Sequence, residues 1–257
     1  MKKKAILILI LVLAIGIGAF LVFRHYDEKE CYDADNTQSL TLPEQIVDVF
    51  IDNKDVWLPN EKYIGTAVFC GFLDLDFDGI LELVICETGG SGVYSTNKFY
   101  KINQTNKSVC EITLPQGERC KFDLCFPVST KPKLLKLKDG SLAYFCTDFS
   151  QTGMQNSTKA ESLLKCNGNT LETQKLFLVK TFIENEENSG YFYYQYDKEY
   201  SVDGGSFEKI VDEYLESNTD LNLKWQTCQT SELTDASDIE MRQKLLELYN
   251  AFSFDDK

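Results

Sequence analysis

The sequence predicts an α+β protein, in which an N-terminal transmembrane helix precedes an antiparallel β meander flanked by helices. Three features of the sequence support this prediction. The chain opens with an apolar run, its middle consists of short segments rich in β-branched and aromatic residues, and helical spacing returns towards its end. At 257 residues the chain is long enough to bury a sizeable core.

The N-terminal segment is predicted to anchor the chain in a membrane. Residues 1–4 (MKKK) form a basic, cytoplasmic n-region, and the 19 residues 5–23 that follow carry no charge. A helix of roughly 20 apolar residues spans a bilayer, whereas signal-peptide cores are about 7–15 residues long. The length therefore favours an uncleaved signal-anchor, and the lysines place the rest of the chain outside the cell. The small residues Gly16, Gly18 and Ala19 leave open a weak cleavage site, which would make the protein secreted.

A polar, aperiodic stretch at residues 24–40 is predicted to be a juxtamembrane linker, followed by an extracytoplasmic α+β domain at 41–257. The domain opens with helical signals. Thr41 and Glu44 match a capping box, and Pro43 suits the first turn. We therefore expect an N-terminal helix directly after the linker.

Strand-like segments dominate from about residue 63 to residue 192. The dipeptides Asp139-Gly140 and Asn167-Gly168 are typical of tight hairpin turns, which predicts an antiparallel meander. Helical spacing returns at residues 207–215, after a predicted Ser206 cap, and in a closing helix where Ser237 and Glu240 match a capping box.

The clearest chemical signal is the stretch FLDLDFDGILELVI at residues 72–85. Asp74, Asp76 and Asp78 alternate, Gly79 permits a sharp bend, and Glu82 follows. Calcium prefers six to eight oxygen ligands at flexible distances, which closely spaced carboxylates supply. No Lys or Arg lies between Lys62 and Lys98, so no nearby side chain in the sequence offsets this charge.

The loop differs from an EF-hand, which requires flanking helices and a glutamate at position twelve. Position twelve is Ile85, and both flanks are predicted strands. The segment DLDFDGILE instead resembles the DxDxDGxxD/E calcium loop of FG-GAP and VCBS-type repeats, which joins two strands. The resemblance implies Ca²⁺ ligands from the side chains of Asp74, Asp76, Asp78 and Glu82 and from the carbonyl of Ile80. This chain has one copy of the loop, whereas a propeller is built from several.

A narrower resemblance extends over about half the chain. The helix, the acidic loop, the segment GGSGVYSTNKFYKIN and the later YFYYQYDKEYSVDGGSFEKIVDEYL are similar to single-loop, membrane-anchored or lipoprotein-like exported proteins of low-GC Gram-positive bacteria. That group implies an exported location and supplies no activity. The competing interpretation of residues 74–82 is a solvated acidic turn without a metal.

Nine cysteines lie beyond the apolar segment, which allows a disulfide framework outside the membrane. Cys70 lies four residues before Asp74, and Cys86 lies four residues after Glu82. A hairpin closing at the loop would bring the two cysteines near each other, so they form a candidate disulfide. Two separate core cysteines are the alternative.

Charge and composition exclude several functions. The net charge of −14 disfavours nucleic-acid binding. The only histidine is His25, so the domain lacks a histidine for a catalytic triad or a zinc site, and no other catalytic constellation stands out. The sequence therefore predicts a non-catalytic module with one structural calcium ion and an unknown extracellular ligand or protein partner.

Two alternatives stay open at this stage. One is a calcium-dependent hydrolase that acts on glycans or cell-wall polymers through carboxylates alone. The other is a glycan- or peptide-binding module that uses the aromatic run YFYYQY at residues 191–196. In a strand these side chains alternate between the two faces, which also suits ordinary core packing.

Overall fold

Two antiparallel sheets dominate the structure, a computed structural model that describes residues 42–58, 66–89, 94–114, 121–122, 124, 131–152, 156–182, 189–195 and 198–255. The first sheet has five strands in the order β12-β1-β2-β3-β4. Its strands are β1 (Thr66–Leu73), β2 (Glu82–Gly89), β3 (Tyr94–Asn103), β4 (Ser108–Ile112) and β12 (Thr227–Gln229). The predicted α+β class is confirmed.

The second sheet has seven strands in the order β10-β9-β8-β7-β6-β5-β11. They are β5 (Lys133–Lys136), β6 (Leu142–Thr152), β7 (Asn156–Asn167), β8 (Thr170–Phe182), β9 (Gly190–Gln195), β10 (Lys198–Val202) and β11 (Thr219–Asp220). The hairpin turns predicted at Asp139-Gly140 and Asn167-Gly168 connect β5 to β6 and β7 to β8, and both glycines have positive φ. The strand region therefore forms two sheets, where the sequence predicted one meander.

Five helices are described: α1 (Pro43–Asp52), α2 (Lys54–Trp57), α3 (Gly204–Glu216), α4 (Ser231–Thr234) and α5 (Asp238–Asn250). The capping box of Ser237 and Glu240 at the start of α5 is confirmed. Helix α3 begins three residues earlier than predicted, because the Asp203 side chain accepts from the Ser206 N–H and is the true cap. The N-cap of α1 is Leu42, which makes no side-chain cap, and Pro43 occupies the first turn as predicted.

Three hydrophobic clusters stack these elements into four layers. Residues of α1 and α5, including Phe50 and Leu245, pack on one face of the five-stranded sheet through Phe72. The opposite face of that sheet contacts the seven-stranded sheet, where Leu73 and Tyr144 share a cluster. The far face of the seven-stranded sheet is covered by α3, and these helix and sheet residues form the third cluster. The layer order is therefore helix, sheet, sheet, helix.

The predicted n-region at 1–4, the transmembrane segment at 5–23 and the linker at 24–40 lie outside the described residues. Within the described ranges, no helix combines the length and the apolar character needed to cross a bilayer. The predicted anchor stays a prediction.

Candidate metal centre

The acidic loop, residues 74–81, connects β1 to β2, the two neighbouring strands at the centre of the five-stranded sheet. The strands pair without interruption up to Leu73 and Glu82, so the loop begins directly where the ladder ends. The strand–loop–strand arrangement predicted from the sequence is confirmed. Burial decreases along the three aspartates, from buried Asp74 through half-buried Asp76 to exposed Asp78.

The loop backbone brings the three aspartates together. One carboxylate oxygen from each of Asp74, Asp76 and Asp78 lies within 4.8 Å of the other two, so this group could hold a metal ion. In an extended strand alternate side chains would share a face at a spacing of roughly 7 Å. Here φ is +61° at Phe77 and +87° at Gly79, and these left-handed residues curl the chain. The bend predicted at Gly79 is confirmed, and Phe77 adds a second one.

Hydrogen bonds inside the loop hold the carboxylates in position. The Gly79 N–H donates to Oδ2 of Asp74 at 3.1 Å. The Ile80 N–H donates to Oδ1 of Asp78 at 2.7 Å. On the strand side, the Leu75 N–H donates to Oε2 of Glu82 at 2.7 Å. These bonds satisfy one oxygen each of Asp74, Asp78 and Glu82.

Two of the remaining oxygens are buried without any hydrogen-bond partner. Among the described residues, only five buried side-chain polar atoms lack a partner, and Oδ1 of Asp74 and Oδ1 of Asp76 are two of them. The Asp74 residue is only 5% exposed. A buried polar atom without a partner costs about 1–3 kcal/mol, and more when it is charged. The loop therefore contains two buried carboxylate oxygens that neither a hydrogen-bond donor nor a cation satisfies.

The pKa values of the carboxyl groups in and beside the loop also indicate that they lack compensating donors and positive charge. Burial, followed by the charge of Asp78, raises the pKa of Asp74 to about 6. The residue Asp78 is exposed as a whole, but its carboxyl group is partly desolvated, which raises its pKa, with a further contribution from Asp76. The pKa of Glu82 lies well above its ordinary value because this carboxyl is buried, with Asp76 the next cause. Each shift means that the ionised form of the group is destabilised in the metal-free protein.

Lys101 is the positive group that the sequence did not predict here. It lies on β3, and its Nζ is 3.9 Å from Oδ2 of Asp76, with both side chains mostly buried. The sequence has no Lys or Arg between Lys62 and Lys98, but the pairing of β3 with β2 brings Lys101 beside the loop. One ammonium group partly offsets four carboxyl groups in and beside the loop, which leaves an excess of negative charge.

The loop is fixed to the layers on both sides of its sheet. On one side the hydroxyl of Tyr144, on β6, donates to the carbonyl oxygen of Asp74 at 2.8 Å, and the Tyr144 ring stacks on Phe77. On the other side the Leu81 N–H donates to the hydroxyl of Tyr249, on α5, at 3.2 Å. Leu75 is fully buried between the two sheets. Both ends of the loop are therefore part of the core, unlike an ordinary surface turn.

The predicted ligands therefore fall into three groups. Asp74, Asp76 and Asp78 converge as expected. Glu82 is adjacent, joined to the loop through the Leu75 N–H, and does not belong to the converging triad. Ile80 contributes its N–H to Asp78, and the role of its carbonyl as a ligand stays a prediction. Lys101, Tyr144 and Tyr249 were missed because they lie far along the chain and carry no local motif.

The candidate disulfide between Cys70 and Cys86 is wrong. Both residues carry thiols, and the β1–β2 register pairs Cys70 with Ile85 and Cys86 with Phe69. Directly opposite residues share a face, so the two cysteines point to opposite faces of the sheet. Cys70 faces α1 and α5, whereas Cys86 faces the other sheet. Their similar distance from the loop along the chain could not show this one-residue offset.

The aromatic run on β9 was the predicted binding platform of one alternative function. Tyr191 is 40% exposed, whereas Phe192, Tyr193 and Tyr194 are half-buried. Their rings already have neighbours. Tyr193 stacks on Tyr200 of β10, Lys180 lies over the Phe192 ring and Lys175 lies over the Tyr194 ring. The described part of this run therefore offers no continuous row of open ring faces.

Comparison of the chain with protein-family models, with curated proteins and with solved structures found no match in any of the three.

Proposed function

We propose that residues 74–82 bind one calcium ion that stabilises the fold, in an exported, membrane-anchored module that binds an extracellular ligand or protein partner and has no catalytic role of its own. One observation carries the metal proposal: Oδ1 of Asp74 and Oδ1 of Asp76 are buried without a partner, within a group of three converging carboxylates. A bound cation would satisfy both oxygens at once.

The donor set favours calcium over other metals. The converging side chains offer only carboxylate oxygens, with no imidazole or thiolate in the triad. Hard oxygen donors suit Ca²⁺ or Mg²⁺, whereas zinc and copper sites usually include nitrogen or sulfur. Several carboxylates on one short loop suit Ca²⁺, because Mg²⁺ demands near-octahedral geometry and usually retains several waters.

Burial favours a structural role for the ion. Glu82 is 3% exposed and Asp74 is 5% exposed, so neither carboxylate is open to a polymeric substrate. Their neighbours tie the loop to β6 and α5. An ion here would hold together the strands and the layers that meet at the loop. The burial of Asp74 and Glu82 favours this structural role over a carboxylate-based hydrolase.

The expected affinity is moderate. Extracellular calcium modules have Kd values of roughly 10⁻⁴–10⁻³ M. At about 1 mM calcium and a Kd near 10⁻⁴ M, binding stabilises the folded state by roughly 1.4 kcal/mol. For a domain of this size that corresponds to a rise in Tm of about 3–6 °C.

The test is calcium titration by calorimetry together with thermal unfolding of the full chain in calcium, in magnesium and in chelator. We expect binding and a rise in Tm with calcium, and loss of both in the Asp76→Asn/Asp78→Asn variant. The matched control is Asp52→Asn/Asp212→Asn, which removes two exposed aspartates elsewhere. Identical unfolding curves of the wild type in calcium and in chelator, with no heat of binding, would reject the metal proposal.

The membrane part of the proposal rests on the apolar run 5–23 alone. Its test is fractionation of expressing cells followed by protease treatment of intact cells. A membrane-bound chain that external protease degrades is the expected result. Protection from protease, or recovery in the soluble fraction of the cytoplasm, would reject it.

A further inference from the structure

Two cysteines that are far apart in sequence meet inside the five-stranded sheet. Cys70 on β1 lies directly opposite Cys228 on β12, and their Sγ atoms are 3.4 Å apart. Both residues are buried and carry thiols. Their positions differ by 158 residues, so no local pattern in the sequence links them.

The geometry points to a disulfide-forming pair: we propose that Cys70 and Cys228 are joined by a disulfide bond when the protein meets an oxidising thiol–disulfide environment. The Cα atoms of opposite residues in antiparallel strands are roughly 4.5–5.5 Å apart. Disulfides span Cα separations of roughly 4.4–6.8 Å. Forming the bond requires the sulfurs to approach by a little over 1 Å, starting from 3.4 Å.

The reaction needs a disulfide as the oxidant, and oxidised glutathione serves in vitro. The Cys228 thiolate attacks one sulfur of the reagent, forms a mixed disulfide and releases one glutathione thiolate. Cys70 then loses its proton, attacks the Cys228 sulfur and releases the second glutathione. Two protein thiols are oxidised to one disulfide and one glutathione disulfide is reduced to two thiols, so atoms and electrons balance.

The surroundings suit Cys228 as the attacking group. It lies on β12, the edge strand of the sheet, which has only three residues, whereas Cys70 lies on β1 inside the sheet. The hydrogen bond from the Cys70 thiol lowers the pKa of Cys228, and the same contact, followed by burial, raises the pKa of Cys70. The thiolate therefore forms preferentially on the residue nearer the sheet edge.

The bond would fasten the C-terminal part of the chain to the sheet. Strand β12 leads directly into α4 and α5, and α5 packs on the face of the sheet that Cys70 and Cys228 share. Without the bond, β12 is held by pairing at Phe69, Cys70 and Gly71 and by the bonds of Thr230 to the Val68 carbonyl. Closing so long a loop reduces the entropy of the unfolded chain and thereby stabilises the folded state.

The experiment uses the full wild-type chain, purified with reductant and then equilibrated with oxidised glutathione. The protein is denatured in excess alkylating reagent, digested, and analysed by mass spectrometry without reduction. We expect a peptide pair joined through Cys70 and Cys228. Cys110 is itself disulfide-bonded, so the Tm is compared in a Cys110→Ser background. There we expect the Tm of the oxidised protein in chelator to exceed that of the reduced protein by roughly 5–15 °C.

The Cys228→Ser variant should lack the joined peptide and this gain in Tm, whereas the Cys166→Ser control should retain both. Recovery of Cys70 and Cys228 as alkylated thiols, as a lasting glutathione adduct, or joined to other cysteines would overturn the proposal. The peptide map of the wild type decides this by itself, so the outcome does not depend on the folding of a variant. The oxidation and the Tm comparison are both carried out in chelator, so the result is also independent of calcium binding.

Discussion

Two connections between strands in this protein contain similar residues, but the pKa values of their aspartates shift in opposite directions. The acidic loop at 74–81 joins β1 to β2, and the turn at 137–141 joins β5 to β6. Each contains an aspartate directly followed by a glycine with strongly positive φ, +87° at Gly79 and +85° at Gly140. The difference lies in what surrounds the carboxylates.

In the turn, Asp139 is satisfied locally. Its Oδ1 accepts from the N–H of Ser141 at 2.9 Å and from the hydroxyl of Ser141 at 2.7 Å, and these bonds lower its pKa. In the loop, the pKa of Asp74 is raised to about 6 because the group is buried beside other carboxyls. Both connections contain the same Asp-Gly dipeptide. A candidate cation site differs from a solvated turn because its carboxylates are buried and have too few hydrogen-bond donors.

Loss of buried volume should separate the two connections most strongly. Leu75, in the acidic loop, is fully buried between the sheets, whereas Leu137, in the turn, is half-buried. We expect Leu75→Ala to lower the free energy of unfolding by about 3 kcal/mol, and Leu137→Ala by about 1 kcal/mol. Urea denaturation in chelator measures both. Equal losses would contradict the view that this end of the acidic loop is part of the core.

The charge balance of the acidic loop gives the next largest effect. Lys101 Nζ lies 3.9 Å from the Asp76 carboxylate, so it repels an incoming cation while it stabilises the metal-free loop. We expect Lys101→Gln to bind calcium roughly tenfold more tightly, as for an ammonium removed from about 6 Å of a divalent ion in a polar medium. Isothermal titration calorimetry measures the change in Kd.

Lys98→Gln is the matched control for this change, since Lys98 is exposed on the same strand. It should alter the Kd by less than about twofold, because an exposed charge at longer range is screened. An unchanged or weaker affinity in Lys101→Gln would mean that Lys101 does not compete with the ion.

Local rules accounted for much of this fold. Turn dipeptides, the capping box at Ser237 and the strand-like composition predicted the hairpins, the closing helix and the α+β class, because each depends on residues close together in sequence. The division into two sheets could not be predicted in the same way. It depends on which strand faces pack together, and both sheets draw on the same kinds of strand.

The residues of the candidate site also fall into those close together in sequence and those that only the fold brings together. The aspartates and Gly79 lie in one short motif, so the sequence predicted their convergence. Lys101, Tyr144 and Cys228 reach their partners through strand pairing and layer packing, across long stretches of sequence. The error at Cys86 has the same origin, since a shift of one residue in register moves a side chain to the other face of a sheet.

The contributions of Asp74 and Asp139 to the stability of the fold should depend on pH in opposite ways. For Asp74 the raised pKa means that its contribution to metal-free stability is fully present below 3.8 and is lost as the pH rises through about 6. Calcium needs the ionised carboxylates, so its gain of roughly 1.4 kcal/mol should be present at pH 7.5 and absent near pH 5. Thermal unfolding with calcium and with chelator across this range tests both trends.

For Asp139 the sign is reversed, because a lowered pKa means stability that is present above 3.8 and is lost only as the pH falls further. Asp139→Asn should therefore leave the pH dependence of the unfolding free energy between pH 5 and 7.5 unchanged. Asp74→Asn should reduce the slope measured in chelator and leave the part that comes from the raised pKa of Glu82. An equal slope in the wild type and in Asp74→Asn would contradict the raised pKa of Asp74.

The smallest expected difference concerns the two glycines, and it isolates the metal from the backbone. At Gly79 and at Gly140 a Cβ would meet no atom within 4 Å, so alanine adds only the strain of a positive φ. We expect Gly79→Ala and Gly140→Ala each to lower stability by about 1–2 kcal/mol in chelator, with little difference between them. With calcium the two variants should separate, because strain at Gly79 disturbs the converging carboxylates while strain at Gly140 does not. Urea denaturation in both conditions measures this separation, and equal losses in calcium would show that the geometry of the loop at Gly79 is unimportant for the ion.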